Sequence, residues 1–234
     1  MASPLQVLRW SRLVAGAGWR MAAGNVLCRV KGDPAAADPW LVSTIVPAIF
    51  RATGADYRPP PEIPDLPDAP YVICANHQSH LDVPVFTHAL PLTIRMVAKP
   101  SLFKVPILGG YMRTAGHLVA RRKAEVIAAS RDLLDRGYSV GFFPEGTRTG
   151  ADELGPFKAG AFLLAAEAKR PILPVAVFGT GAVLPSGSNA PAPGPVGLRI
   201  GAPIPASDDA EALSAATRAA LAGLLGQGPP PEMG

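Results

Sequence analysis

The chain has 234 residues, which is long enough for one domain with a substantial hydrophobic core. Hydrophobic residues make up 48% and charged residues 17%, a composition that excludes an intrinsically disordered chain. The formal net charge is +4, and residues 1–34 supply all of it, with five basic residues against one acidic residue. This local excess predicts contact with an anionic membrane surface. We do not expect a nucleic-acid partner, because no basic stripe with interleaved aromatic residues follows.

The cysteines and the apolar segments bear on where the protein resides. Cys28 and Cys74 are far apart and show neither a CxxC motif nor metal-ligand spacing, so we interpret both as reduced thiols of a cytosolic protein. No stretch reaches the roughly 18 apolar residues that cross a bilayer. Arginines interrupt residues 1–24, which therefore differ from a signal peptide. We expect a peripheral or monotopic protein on the cytoplasmic side of the cell membrane.

The N-terminal region, residues 1–57, is predicted to contain a basic amphipathic helix that associates with the membrane. On a helical wheel the three arginines Arg9, Arg12 and Arg20 fall in one sector. The apolar residues roughly opposite are Val7, Trp10, Val14 and Met21. This pattern is typical of an interfacial helix. The alternative is a helix whose apolar side packs on the protein's own core.

Residues 58–70 are rich in proline and are predicted to be an irregular connector to the body of the protein, residues 71–227. The segments predicted as strands are Tyr71–Ala75, Ile94–Ala98, Tyr138–Phe143 and Ile172–Phe178. The predicted helices cover 80–89, 122–136, 158–169 and 207–225, a loop covers 185–197, and 228–234 form a disordered tail. This alternation predicts an α/β fold with a mixed, largely parallel sheet flanked by helices.

A histidine and an aspartate follow the first predicted strand. His77 and Asp82 are five positions apart, so within one regular helix they would point about 140° away from each other. They can meet if His77 lies in the turn before the helix and Asp82 in its first turn. An aspartate in contact with one ring nitrogen would leave the other free to act as a general base. Taken alone, the spacing fits a structural histidine as well.

A second polar segment, Glu145-Gly146-Thr147-Arg148, follows the third predicted strand. Its arginine suits bidentate phosphate binding, and its glycine permits a close approach of the backbone to a ligand. In α/β folds such strand ends gather ligands. Without its context, the segment fits a turn with a salt-bridged arginine equally well.

Taken together, four ordered blocks resemble the glycerolipid acyltransferase family over roughly residues 71–178. The blocks are Asn76, His77 and Asp82; the run from Lys99 to Gly110 with Gly116–Arg121; Phe143–Arg148; and Ile172–Val177 with its internal proline. The bacterial type member of this family makes phosphatidic acid from lysophosphatidic acid.

The resemblance implies acyl transfer from acyl-CoA or acyl-carrier protein to the hydroxyl of lysophosphatidic acid, with no cofactor and no metal. It implies that His77 is the base and Asp82 orients it. The substrate-binding residues that it implies are Glu145, Gly146, Thr147, Arg148, Arg121 and Lys99. Three alternatives stay open: another hydroxylated acceptor, a thioesterase, and a non-catalytic lipid-binding relative. A serine nucleophile at Ser79 is disfavoured, because no Gly-x-Ser-x-Gly surrounds it.

Overall fold

The computed structural model describes residues 4–33, 35–67, 70–149, 154–188 and 190–230, with the backbone alone over 4–10 and 12–14. Two helices open the chain, α1 (Pro4–Lys31) and α2 (Asp38–Thr53). The first half of the sheet region contains β1 (Ala55–Tyr57), β2 (Val72–Ala75), α3 (Asp82–Ala89), β3 (Ile94–Ala98), a 3-10 turn (Leu102–Lys104), α4 (Leu108–Thr114) and β4 (Leu118–Val119). The second half contains α5 (Lys123–Asp135), β5 (Ser139–Phe142), α6 (Gly160–Ala168), β6 (Ile172–Phe178), α7 (Thr180–Val183), β7 (Gly194–Ile200) and α8 (Ala210–Gly226).

The seven strands of the described residues form one sheet in the order β1-β7-β6-β2-β5-β3-β4. Each neighbouring pair is parallel except β6 and β7, which are antiparallel. This confirms the predicted α/β class with a largely parallel mixed sheet. Because strands β2 to β6 all run in the same direction, their carboxyl ends meet at one edge of the sheet.

Helices cover both faces of the sheet. One core lies between the sheet and helices α2 and α3, where Phe50 and Phe86 pack on Ile73. The other lies beneath α5, α6 and α8. Successive residues of β2 enter opposite cores, with Ile73 in the first and Val72 in the second. Burial on both faces explains why this strand is apolar at every position, as the sequence predicted.

Local signals in the sequence account for two helix ends. The Asp209 side chain accepts the N–H groups of Glu211 (2.9 Å) and Ala212 (3.0 Å), which caps the start of α8. After α5, Gly137 takes a left-handed φ of 85°, which costs glycine little, and the chain turns directly into β5.

Helix α1 packs on α2 through part of the side that was predicted to face the membrane. Met21 lies against the cluster of Cys28, Leu41 and Ile45, and a Cβ at Gly24 would overlap the side chain of Leu41. For Met21 the alternative interpretation, packing on the protein itself, therefore holds. The predicted partners Val7, Trp10 and Val14, and the arginines Arg9 and Arg12, have side chains outside the described part. In the described ranges, no helix combines the length and apolarity that a membrane span needs.

Three strands, β1, β4 and β7, were missed by the sequence prediction. β7 begins inside the predicted loop 185–197, where Pro195 and two glycines concealed a strand that pairs with the buried β6. β1 precedes the predicted connector and pairs with β7, so the sheet begins before residue 71. Its three residues offer no apolar run. Of the predicted tail, 231–234 lie outside the described residues, and Arg199 binds the carbonyls of Gly228 (2.9 Å) and Pro229 (3.3 Å).

Candidate active site

The polar residues of interest lie at the carboxyl edge shared by the parallel strands. His77 follows β2, Lys99 follows β3, Arg121 follows β4, Glu145–Arg148 follow β5, and Thr180 follows β6. The sheet order places β2 between β5 and β6, so His77 lies between the Glu145 segment and Thr180. The fold therefore gathers residues that are separated by up to about 100 positions in the sequence.

His77 and Asp82 are in direct contact. The Nδ1 atom of His77 lies 2.7 Å from Oδ2 of Asp82, and the side chain of Asp82 is fully buried whereas that of His77 is 18% exposed. The predicted geometry is confirmed, because α3 begins at Asp82 and His77 lies in the preceding turn. With Nδ1–H donating to the carboxylate, Nε2 is the nitrogen left to take a proton.

The carboxylate of Asp82 is held by four donors. Besides His77, its Oδ2 accepts the backbone N–H groups of Gln78 (2.8 Å) and Ser79 (2.9 Å). Its Oδ1 accepts the hydroxyl of Thr180, which arrives after β6, at 2.5 Å. These bonds fix the carboxylate on the ring nitrogen that it orients. The sequence prediction missed Thr180, for which the sequence offered no signal.

Phe143 fixes the plane of the imidazole. Its ring stacks on that of His77 with a centroid separation of 3.8 Å and an interplanar angle of 13°. Phe86 of α3 meets the edge of Phe143 at 6.1 Å. The histidine is thus located by a hydrogen bond in its plane and by an aromatic ring on its face.

The side chain of Glu145 is buried and binds other residues of the protein. The residue is 3% exposed, and its Oε1 accepts the backbone N–H of His77 at 3.1 Å. Its Oε2 accepts the hydroxyl of Thr149 (2.6 Å) and the N–H of Gly155 (2.8 Å), while the N–H of Thr149 donates to the carbonyl of His77 (2.8 Å). We therefore revise its assignment from substrate binding to positioning: Glu145 fastens the turn after β5 to the backbone of His77.

Two other polar residues of this region have structural roles. Asn76 binds the backbone of β6 twice: its amide donates to the carbonyl of Val177 (3.0 Å) and its Oδ1 accepts the N–H (2.7 Å). Ser79 is fully buried, and its hydroxyl donates to the carbonyl of Leu184 at 2.7 Å. A hydroxyl held in this way is not a free nucleophile, which agrees with the interpretation made from the sequence.

The basic residues predicted for the site differ in their surroundings. Burial is the largest effect lowering the pKa of His80 below its ordinary value, the positive charge of Arg148 is the next, and Lys99 adds a smaller effect. Arg148 and Lys99 therefore share the electrostatic surroundings of His80. Arg121 is exposed and follows β4, three strands from β2, which is about 14 Å at the usual strand spacing. Thr147 and Gly146 are exposed in the turn between β5 and Arg148.

The family model described as Acyltransferase matches residues 50–178, more than half of the chain. The chain belongs to the acyltransferase family. Within this family, a protein of Chlamydomonas reinhardtii named 1-acyl-sn-glycerol-3-phosphate acyltransferase is 35% identical over 202 residues, covering 83% of the chain and 57% of that protein. The Saccharomyces cerevisiae protein of the same name is 34% identical over 178 residues, covering 71% of the chain and 57% of that protein.

A solved acyltransferase structure has the same fold. The crystal structure of the 1-acyl-sn-glycerophosphate (LPA) acyltransferase PlsC from Thermotoga maritima superposes with a TM-score of 0.78 and covers 95% of this chain and 94% of that one. The sequence identity is 23%, so this likeness establishes the fold alone. The chain spans little more than half the length of the curated acyltransferases from Chlamydomonas and yeast.

Proposed function

We propose that the protein transfers a fatty acyl group from an acyl thioester, acyl-CoA or acyl-carrier protein, to the free hydroxyl of lysophosphatidic acid to give phosphatidic acid. The observation that carries this proposal is the His77–Asp82 pair, at 2.7 Å, at the same carboxyl edge of the sheet as Arg148 and Lys99. The relatives from Chlamydomonas and yeast, which are named 1-acyl-sn-glycerol-3-phosphate acyltransferases, support this choice of acceptor.

The chemistry requires one base and no covalent intermediate. Nε2 of His77 removes the proton of the acceptor hydroxyl as the oxygen attacks the thioester carbon. The C–S bond then breaks, and the departing thiolate takes the proton back from the imidazolium, so that a free thiol and an ester are formed. Asp82 stabilises the imidazolium between these two transfers. A thioester is already activated, so the proposal calls for no cofactor beyond the acyl donor.

The same site restricts where the oxyanion of the tetrahedral intermediate can be bound. The N–H groups of Gln78 and Ser79, near the start of α3, already donate to Asp82. They cannot serve the oxyanion, although the start of this helix is where such donors are usually sought. The donors must therefore come from other groups at the carboxyl edge of the sheet.

The first experiment measures thiol release from a long-chain acyl-CoA with and without lysophosphatidic acid. The proposal expects release that depends on the acceptor and an equal yield of phosphatidic acid. Release without acceptor would identify a thioesterase. The assay is repeated with acyl-carrier protein as donor and with glycerol 3-phosphate or monoacylglycerol as acceptor. If no combination of donor and acceptor gives thiol release, the result contradicts the proposal and favours a non-catalytic lipid-binding protein.

We also propose that α1 places the protein on the anionic cytoplasmic surface of the cell membrane. Three large apolar side chains of this helix are exposed, Trp19 by 56%, Val26 by 60% and Val30 by 78%. They lie seven and four positions apart, so they form one stripe along the helix. Arg29 and Lys31, also exposed, stand beside its end. Tryptophan with basic neighbours is typical of the headgroup region.

Point variants test this placement better than truncation, because removing α1 would also expose the face of α2 that contains Leu41. The double variant Trp19→Ser with Val26→Ser is expected to weaken sedimentation with anionic vesicles by about tenfold or more, since each exposed side chain contributes ~1–2 kcal/mol when buried in lipid. Ile63→Ser, which removes an exposed apolar side chain of the proline-rich connector, is the control. Equal sedimentation of all three proteins would contradict the membrane role of α1.

A further inference from the structure

The segment 154–158, between β5 and α6, is fixed beside the Glu145 turn. Arg218 of α8 donates to the carbonyls of Leu154 (3.2 Å) and Gly155 (2.5 Å), and its guanidinium lies 4.6 Å from the ring centre of Phe157. On the other side, Gly155 donates to Glu145. From the sequence, only the start of a helix at residue 158 was predicted in this segment. In the structure, the side chains of Arg218 and Glu145 hold the backbone of this segment from two sides. These bonds fix the position of its last residue, Lys158.

Lys158 is directed over the substrate-binding turn. Its backbone N–H donates to the carbonyl of Pro144 at 2.8 Å, and its side chain lies over Gly146 so closely that a Cβ at residue 146 would overlap its three outer atoms. Gly146 has a φ of 68°, a conformation that already favours glycine. The absence of a side chain at this position therefore lets the ammonium group rest on the turn that leads to Arg148.

The ammonium group of Lys158 is exposed and takes no part in the ion pairs of the described residues. Within the described ranges it takes part in no ion pair and no hydrogen bond of its side chain, whereas Lys169 on the opposite edge of the sheet approaches Asp208 to 3.9 Å. The nearest carboxylate of the turn, Glu145, is engaged by three other donors. Lys158 and Arg148 thus bring two positive charges to one turn, an arrangement that a bound anion would stabilise.

We propose that Lys158 is a second ligand, together with Arg148, for the phosphate monoester of the acceptor, and that it sets the preference for a phosphorylated over an unphosphorylated acceptor. This inference rests on the proposed function. The planar guanidinium of Arg148 can bind two phosphate oxygens, and the ammonium of Lys158 contributes a point charge to the third. A phosphate monoester carries close to two negative charges near neutral pH, which two cations balance.

The test is the steady-state kinetics of Lys158→Gln, with lysophosphatidic acid and then monoacylglycerol as acceptor. Loss of one charge-assisted contact is expected to raise KM for lysophosphatidic acid about tenfold or more. The kcat, the KM for acyl-CoA and the rate with monoacylglycerol should stay within about threefold, and Lys158→Arg should restore most of the affinity. Lys169→Gln is the matched control.

Each contrary result has a definite meaning. A KM for lysophosphatidic acid within twofold of wild type would overturn the assignment, and a rise in the KM for acyl-CoA instead would place Lys158 at the donor. If the wild type shows no acceptor-dependent activity, the proposed function fails. Calorimetric titration with glycerol 3-phosphate then tests independently whether Lys158 binds a phosphate monoester. Weaker binding by Lys158→Gln than by Lys169→Gln would support the phosphate site, and equal binding would refute it.

Discussion

Replacing His77 with alanine is expected to lower acceptor-dependent thiol release by about 10²–10⁴-fold, because the variant lacks the base that the proposed mechanism requires. The ring is 18% exposed, and the backbone of residue 77 stays fastened to Glu145 and Thr149. The variant should therefore fold and bind substrates as the wild type does. The measurement is kcat with acyl-CoA and lysophosphatidic acid, together with a thermal unfolding scan of both proteins.

Two further variants separate base catalysis from general damage to the site. His80→Gln changes the histidine three positions away, which lies outside the proposed catalytic pair, and is expected to alter kcat by only a few-fold. Thr180→Val removes the donor to Oδ1 of Asp82 and should lower kcat by about tenfold, because one of the bonds that fix the carboxylate is lost. A His77→Ala enzyme that retains more than a tenth of the wild-type kcat would refute the assignment of the base.

The second large effect is on stability. Asp38→Ala is expected to lower the free energy of unfolding by about 3–5 kcal/mol, because it leaves the charge of Arg95 buried without its partner. Arg95, the second residue of β3, is 1% exposed, and its Nη1 lies 2.6 Å from Oδ2 of Asp38. Tyr111 donates to the other oxygen of Asp38 at 3.1 Å. Burial raises the pKa of Asp38 above its ordinary value, although Arg95 opposes this.

Urea unfolding of matched variants measures this effect. The control is Asp56→Ala, which breaks an ion pair with Arg58 of the same 2.6 Å length, exposed by 58% and 41%, and is expected to cost less than ~1 kcal/mol. Combining Asp38→Ala with Arg95→Met should recover much of the loss, because no unpaired charge then remains in the interior. If Asp38→Ala and Asp56→Ala lose equal amounts, the buried pair has no special part in stability.

Residues close in sequence could be predicted well. The His77–Asp82 contact follows from a strand end and a five-residue spacing, and strands β2, β5 and β6 were recognisable because both of their faces are buried. Contacts between distant segments could not be predicted. Thr180 reaches Asp82 across 98 positions, and Arg95 finds its carboxylate 57 positions earlier, in the region assigned to the membrane.

The role of Glu145 shows a different difficulty. A carboxylate beside a glycine and an arginine has the same appearance in a sequence whether it faces a ligand or the protein. The structure distinguishes these two cases, because the side chain of Glu145 is buried and accepts hydrogen bonds from two backbone N–H groups and one hydroxyl. Lys158 is the opposite case. It lies outside every site segment predicted from the sequence, yet its side chain covers Gly146.

The edge strand β1 has a consequence for how the chain is made. Ala55 pairs with Gly194, so the ribosome must add about 140 residues before β1 has a neighbour. At usual rates of elongation this takes roughly ten seconds. Strands β2 to β6 are synthesised within that interval and can pair with one another, whereas β1 must wait, and the stripe of Trp19, Val26 and Val30 has already left the ribosome. On the proposed role of α1, the nascent chain can therefore meet the bilayer before β1 joins the edge of the sheet.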